Sequence, residues 1–106
     1  MSPEAWTLPW EEAREGLLVH RDRRVVYLNP AAAELLAVDR EKVRGLPLIL
    51  ALRDHRLEAL ALKGGEAVLE VRGRVLAARA RPGLLYLLDV TEARRSEELR
   101  LAVDGA

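Results

Sequence analysis

The spacing of apolar and polar positions changes period several times along this chain, and each change marks an element. In residues 15–36, EGLLVHRDRRVVYLNPAAAELL, an apolar run from Leu17 to Val19 breaks into a charged turn, His20 to Arg24. A second apolar run, from Val25 to Leu28, follows it. Two such runs joined by a short polar turn predict a β-hairpin. At Asn29-Pro30 the period switches. Asparagine is a good helix N-cap, and proline at the first helical position loses no hydrogen bond. Ala32, Leu35 and Leu36 then recur at helical spacing. Asp39 predicts the cap of a second short helix over residues 40–44, which Gly45 stops. Leu48, Ile49, Leu52, Leu57, Leu60 and Ala61 keep helical spacing until Gly64-Gly65 ends it.

The second half reads as strands. Residues 66–71 and 74–81 flank a tight Arg72-Gly73 turn, with Leu76, Ala78 and Ala80 on one face and Val75, Ala77, Arg79 and Arg81 on the other. After Pro82-Gly83, residues 84–88 are apolar at every position, which predicts a central strand covered on both faces. Thr91 predicts the cap of an outgoing helix over residues 92–103. At the other end, Pro3 and Pro9 punctuate a segment whose short helix starts near Pro9 and puts Trp10 and Ala13 on one side. That segment is expected to cover one face of the sheet.

Composition narrows the function classes. Seventeen Lys and Arg balance seventeen Asp and Glu, so no global basic field attracts nucleic acid, and no nucleic-acid partner is expected. All the cations except Lys42 and Lys63 are arginines, a bias that suggests a heat-loving source, since ion-pair networks are one thermostability device. The absence of cysteine excludes disulfides, thiolate zinc sites and cysteine nucleophiles, and it fits a reducing cytoplasm. Uncharged runs such as residues 45–52 are far shorter than the ~20 residues of a membrane span. The first residues are acidic and carry no signal-peptide core, so a cytoplasmic location is expected.

Gly16, Val19 and Asn29-Pro30-Ala31-Ala32, followed far downstream by Asp89-Val90-Thr91, resemble the opening and closing marks of PAS domains, the small sensory modules of bacterial signalling proteins. Asp22 sits slightly displaced from the usual acidic position, which His20-Arg21 occupies. The resemblance implies an α+β fold: a five-stranded antiparallel sheet, short helices on one face, and flanking N-terminal and C-terminal helices. It divides the chain into a flap (1–15), a PAS domain (16–91) and the start of an outgoing signalling helix (92–106). The leucine- and alanine-rich helical segment would wall a small apolar cavity for an unidentified small molecule.

The segment TEARRSEELR resembles the linker into the phosphorylated helix of sensor histidine kinases, especially the phosphate-regulon type, although Ser96 stands where an apolar residue is usual. The resemblance therefore implies a parent histidine protein kinase, of a kind that an inner-membrane segment can anchor, with a response regulator as indirect partner. Asp89 and Thr91 would couple sheet to outgoing helix, and Trp6 and Trp10 would form a homodimer contact, tryptophan being enriched at interface hot spots. Arg79 and Arg81 are candidates for a carboxylate ligand or for pairing with Asp89. The Arg21, Arg23 and Arg24 cluster reads as a solvated turn with a lesser anion role, and His20 as a solvated turn residue.

His55 stands roughly where haem-binding relatives carry an axial ligand, but Arg53, Asp54 and Arg56 around it argue against haem. Flavin photochemistry of the light-sensing kind needs a cysteine, so no cofactor is expected. No catalytic or metal-ligand motif stands out, and the fragment itself is not expected to be an enzyme. Two other readings stay open: a ligand-free dimerisation module, and a PAS domain gating a cyclase or DNA-binding output.

Overall fold

The computed structural model describes residues 7–94. The elements run α1 (Leu8–Glu11), β1 (Gly16–Arg21), β2 (Arg24–Leu28), α2 (Pro30–Leu36), α3 (Arg40–Val43), α4 (Leu48–Leu52), α5 (His55–Lys63), β3 (Gly65–Val71), β4 (Arg74–Arg81) and β5 (Leu84–Asp89). The five strands form one antiparallel sheet in the order β2-β1-β5-β4-β3. The first and last strands are therefore neighbours at its centre. Helices α2 to α5 connect β2 to β3, the two edges of the sheet.

One continuous core lies between those helices and the sheet. Leu36 of α2, Leu48 and Leu52 of α4 and Leu57 of α5 meet Leu18, Leu76, Leu85 and Leu87 from three strands. All eight are among the largest fully buried side chains. Alternation along β4 buries Leu76, Ala78 and Ala80 and exposes Arg79 and Arg81, as the sequence predicts. Gly16 is where β1 touches α2. A Cβ there would stand 2.9 Å from the Ala32 Cα, so the close approach of strand and helix requires glycine.

Three expectations need correction. The first hairpin turns at Asp22-Arg23 alone, both with positive φ (53° and 61°), so His20 lies inside β1 and is only 8% exposed. The turn lacks the Asn-Gly or Asp-Gly pair that normally marks such a tight loop, which hid its position. Next, the helical spacing of residues 48–61 belongs to two helices. Arg53 ends α4 in the left-handed conformation (φ 51°), and the Asp54 carboxylate caps α5 by accepting from Arg56 N and Leu57 N.

The third concerns β5, which is covered fully on one face only. Leu85 and Leu87 are buried, whereas Leu88 is 41% exposed and Leu84 and Tyr86 are half-buried. The helical insert packs on a single face, and among the described residues the other receives only the short N-terminal segment, with Trp10 5.9 Å from Tyr86.

Register carries a further detail. Val19 opposes Tyr27 and His20 opposes Val25, which leaves Val26 as an extra residue in β2. The bulge lets Val25 and Leu28 both join the core while Tyr27 serves another contact. The β2 edge is covered by the loop before α4, through Val25 N to Leu46 O, Gly45 N to Val25 O and Leu48 N to Arg23 O. Two arginines finish the helix ends: Arg53 donates to the Leu36 and Ala37 carbonyls, and Arg72 to those of Leu36 and Leu52.

Candidate functional site

The described ends of the chain are both fastened to the middle of the sheet. On the incoming side, Asn29 is fully buried and uses its whole side chain. Its Oδ1 accepts from Leu17 N and Ala32 N, each at 2.9 Å, so one oxygen caps α2 and holds β1. Its Nδ2 donates to the carbonyls of Trp10 (2.8 Å) and Glu15 (2.9 Å). A single amide thus joins the incoming segment, β1 and α2.

A second clamp lies alongside. Arg40 chelates the Glu11 carboxylate through both terminal guanidinium nitrogens, Nη1 at 3.2 Å and Nη2 at 2.8 Å, and its Nε donates to Leu28 O. The Tyr27 hydroxyl donates to the same carboxylate, and the Arg40 guanidinium lies 5.9 Å from the Tyr27 ring centre. The tyrosine hydrogen bond, helped by Arg40, holds the Glu11 pKa below the usual carboxylate value against the opposing effect of burial. Burial, followed by that carboxylate, pushes the Tyr27 phenol up. Farther along, Arg79 lies over the Tyr86 ring (5.2 Å) and 3.6 Å from Glu15.

On the outgoing side, Asp89 Oδ1 accepts from the backbone N (2.9 Å) and the hydroxyl (2.5 Å) of Thr91. Its other oxygen is 3.6 Å from Arg74. These contacts lower the Asp89 pKa, the threonine hydroxyl most and Arg74 least. The Thr91 Oγ1 in turn accepts from Val75 N at 2.9 Å, and Val90 N donates to Val75 O at 2.8 Å. The exit of β5 is therefore bound to the start of β4. Gly16 pairs with Leu87 and Leu17 with Tyr86, so entrance and exit lie on adjacent strands.

The sequence-derived candidates fall as follows. Asp89 pairs with an arginine, but with Arg74 rather than Arg79 or Arg81. Thr91 does not act as the N-cap: the helical turn begins at Thr91 itself, Arg94 N donates to Val90 O, and the hydroxyl is committed to Val75. Arg79 and Arg81 project from the sheet face away from the helices, about half exposed, towards Glu15 and Glu66. Arg81, near the end of β4, also borders an open cleft beside the last turn of α5. His55 is exposed at the start of α5. Trp10 is half-buried against Tyr86, while Trp6 and the outgoing helix beyond residue 94 lie outside the described residues.

Sequence reasoning missed the Nδ2 half of Asn29 and the Glu11–Arg40–Tyr27 clamp, whose members are far apart in the chain. No local spacing announces such contacts. Among the described residues no helix is long and apolar enough to cross a membrane.

No family model matches the chain, and no curated protein matches its sequence. Among solved structures, a domain of an HTR-like protein from Haloarcula marismortui is similar with a TM-score of 0.53 and 16% identity, covering 74% of this chain and 100% of that one. That likeness joins a strand order and helical insert already in place. The chain has the PAS fold. Two structures described as PAS domains are also similar, at lower scores. One, in complex with ethanol, is from a LuxR-family transcriptional regulator of Burkholderia thailandensis (TM-score 0.49, 15% identity, 82% of this chain and 98% of that one). The other is from nitrogen regulation protein NR(II) of Vibrio parahaemolyticus (0.47, 18%, 82% and 96%). At such identities the likeness is one of fold alone.

Proposed function

We propose that this PAS-fold domain is the sensory or regulatory module of a two-component sensor histidine kinase, and that it passes a signal to the kinase through the C-terminal helix. The observation that carries this reading is the fastening of entrance and exit to neighbouring strands. Asn29 and the Glu11 clamp hold one, and the Asp89–Thr91–Val75 contacts hold the other. A change in sheet packing that favours one arrangement of the exit shifts the outgoing helix, provided the two states differ in those contacts. The domain contributes no catalysis of its own; the parent does.

In this proposal the domain is cytoplasmic, its parent is anchored in the inner membrane, and a response regulator is reached only through the kinase. The kinase assignment, and within it the phosphate-regulon type, rests on the TEARRSEELR linker. The coding sequence after Ala106 tests it. A histidine followed by Glu-Leu-Arg-Thr-Pro and then an ATP-binding region is expected. A cyclase or helix-turn-helix region there would replace the kinase output and leave the fold untouched.

A second reading, a ligand-free homodimerisation module, is favoured by one observation. Leucines occupy the core beneath the helical wall, while Leu8 (59%), Val68 (51%) and Leu88 are exposed near the half-buried Trp10 or along the sheet. Native mass spectrometry distinguishes the two: a dimer with no added mass supports the module, and a retained small molecule opposes it.

A further inference from the structure

β1 ends at an open cleft of about 520 Å³, where the last turn of α5, the Gly64-Gly65 start of β3 and the turn between β4 and β5 meet. Its lining includes His20, Ala61, Lys63, Ala80, Arg81 and Pro82. His20 is more than nine-tenths buried, and its Nε2 has no hydrogen-bond partner. Buried polar atoms are nearly always paired, so an orphaned imidazole nitrogen beside an open cleft calls for a partner.

The charges around the mouth are uneven. Lys63 is exposed and has no carboxylate partner among the described residues. Arg81 donates to the Ala80 carbonyl and stands 3.7 Å from Glu66, in a pair whose side chains are both more than half exposed. Such a pair holds weakly and is easily exchanged. One carboxylate thus faces two cations, while Ala61, Ala80 and Pro82 give the cleft an apolar lining. An inorganic anion would leave that lining unused, and a neutral apolar molecule would leave the cations and the imidazole unused.

We propose that this cleft binds a small carboxylate with a short apolar tail: the carboxylate takes the hydrogen bond that His20 Nε2 lacks, Lys63 and Arg81 balance its charge, and the tail lies on Ala61, Ala80 and Pro82. The site stands whether or not the domain signals to a kinase. The Ala61 carbonyl is the polar group that favours the charged imidazole, and burial, the larger effect, keeps His20 below its usual pKa in the free protein. Among the described residues no charged side chain contributes to that shift, and Lys63, Arg81 and Glu66 are the charged groups around the mouth. An imidazolium donates from both nitrogens, so carboxylate binding brings a proton with it.

Titration of the domain with sodium butyrate, followed by calorimetry and by the His20 imidazole NMR signals, tests the site. The expected result is one saturable site with uptake of a proton, tightening by up to about tenfold per pH unit as pH falls towards the His20 range. Lys63→Ala, at an exposed position that leaves the fold intact, and His20→Gln should each weaken binding by about tenfold or more, and butanol and phosphate should bind about tenfold less tightly than butyrate. Absence of saturable butyrate binding in the millimolar range overturns the proposal. So does equal binding of butanol or phosphate, or an affinity unchanged by Lys63→Ala.

Discussion

Two residues carry a disproportionate share of the molecule. Asn29→Ala removes four hydrogen bonds and leaves buried backbone groups at Leu17 and Ala32 without their partner. A loss of about 3 kcal/mol in urea unfolding is expected, combining a lost cap with unsatisfied buried donors. Asn29→Asp is more selective. The carboxylate still accepts from Leu17 and Ala32 but has no donor for Trp10 and Glu15, so faster tryptic cleavage at Arg14 is expected while the helix is kept. Unchanged cleavage would show that the amide does not hold the incoming segment. Gly16→Val drives a side chain into the Ala32 backbone and should cost about 2 kcal/mol by the same measurement. The sequence marked both positions through the resemblance, but their physical roles are contacts across the fold, which a linear pattern does not contain.

At the scale of elements, the strands and caps were legible wherever local chemistry decided them. Asn29-Pro30 and Asp39 begin helices as read, and β4 alternates as read. Legibility failed where tertiary packing decided. Residues 84–88 look buried on both faces, yet among the described residues only the segment of the four-residue α1, through Trp10, reaches the second one. Residues 48–61 look continuous, yet Arg53 can turn left-handed because its guanidinium is held by the α2 carbonyls. The Asp54 cap that restarts the helix should contribute about 1 kcal/mol, lost in Asp54→Ala.

Protonation tests the same elements. Glu11, Asp54 and Asp89 have folded pKa values lowered mainly by hydrogen bonds from Tyr27, Arg56 and Thr91 respectively. Their stabilisation is complete above the unfolded carboxylate range of about pH 4 and is lost as pH falls through the folded values. His20, lowered by burial, acts higher. The unfolded chain binds its proton first, so its contribution is complete above about pH 6.5 and declines as pH falls below that. Urea midpoints across pH should therefore fall in two stages, and His20→Gln should remove the upper one. A single acid stage in the unaltered protein would contradict the buried placement of His20.

Across the whole molecule, adjacency of entrance and exit is the organising feature. The fold places the strand that follows the incoming segment beside the strand that precedes the outgoing one, and it ties each to its flanking segment with side chains. The fold class was legible in the sequence because turn residues and capping motifs recur in the right order; the fastening was not, because Glu11, Arg40 and Tyr27 converge from three elements. If the parent is the proposed histidine kinase, the most direct test is autophosphorylation of the full-length parent carrying Asp89→Ala, compared with the unaltered parent in its signalled and unsignalled states. Asp89→Ala frees Thr91 and Arg74 from their shared carboxylate, so the difference between the two states is expected to collapse while the kinase still folds. If signalled and unsignalled activities are both unchanged, the Asp89–Thr91 junction does not transmit the signal.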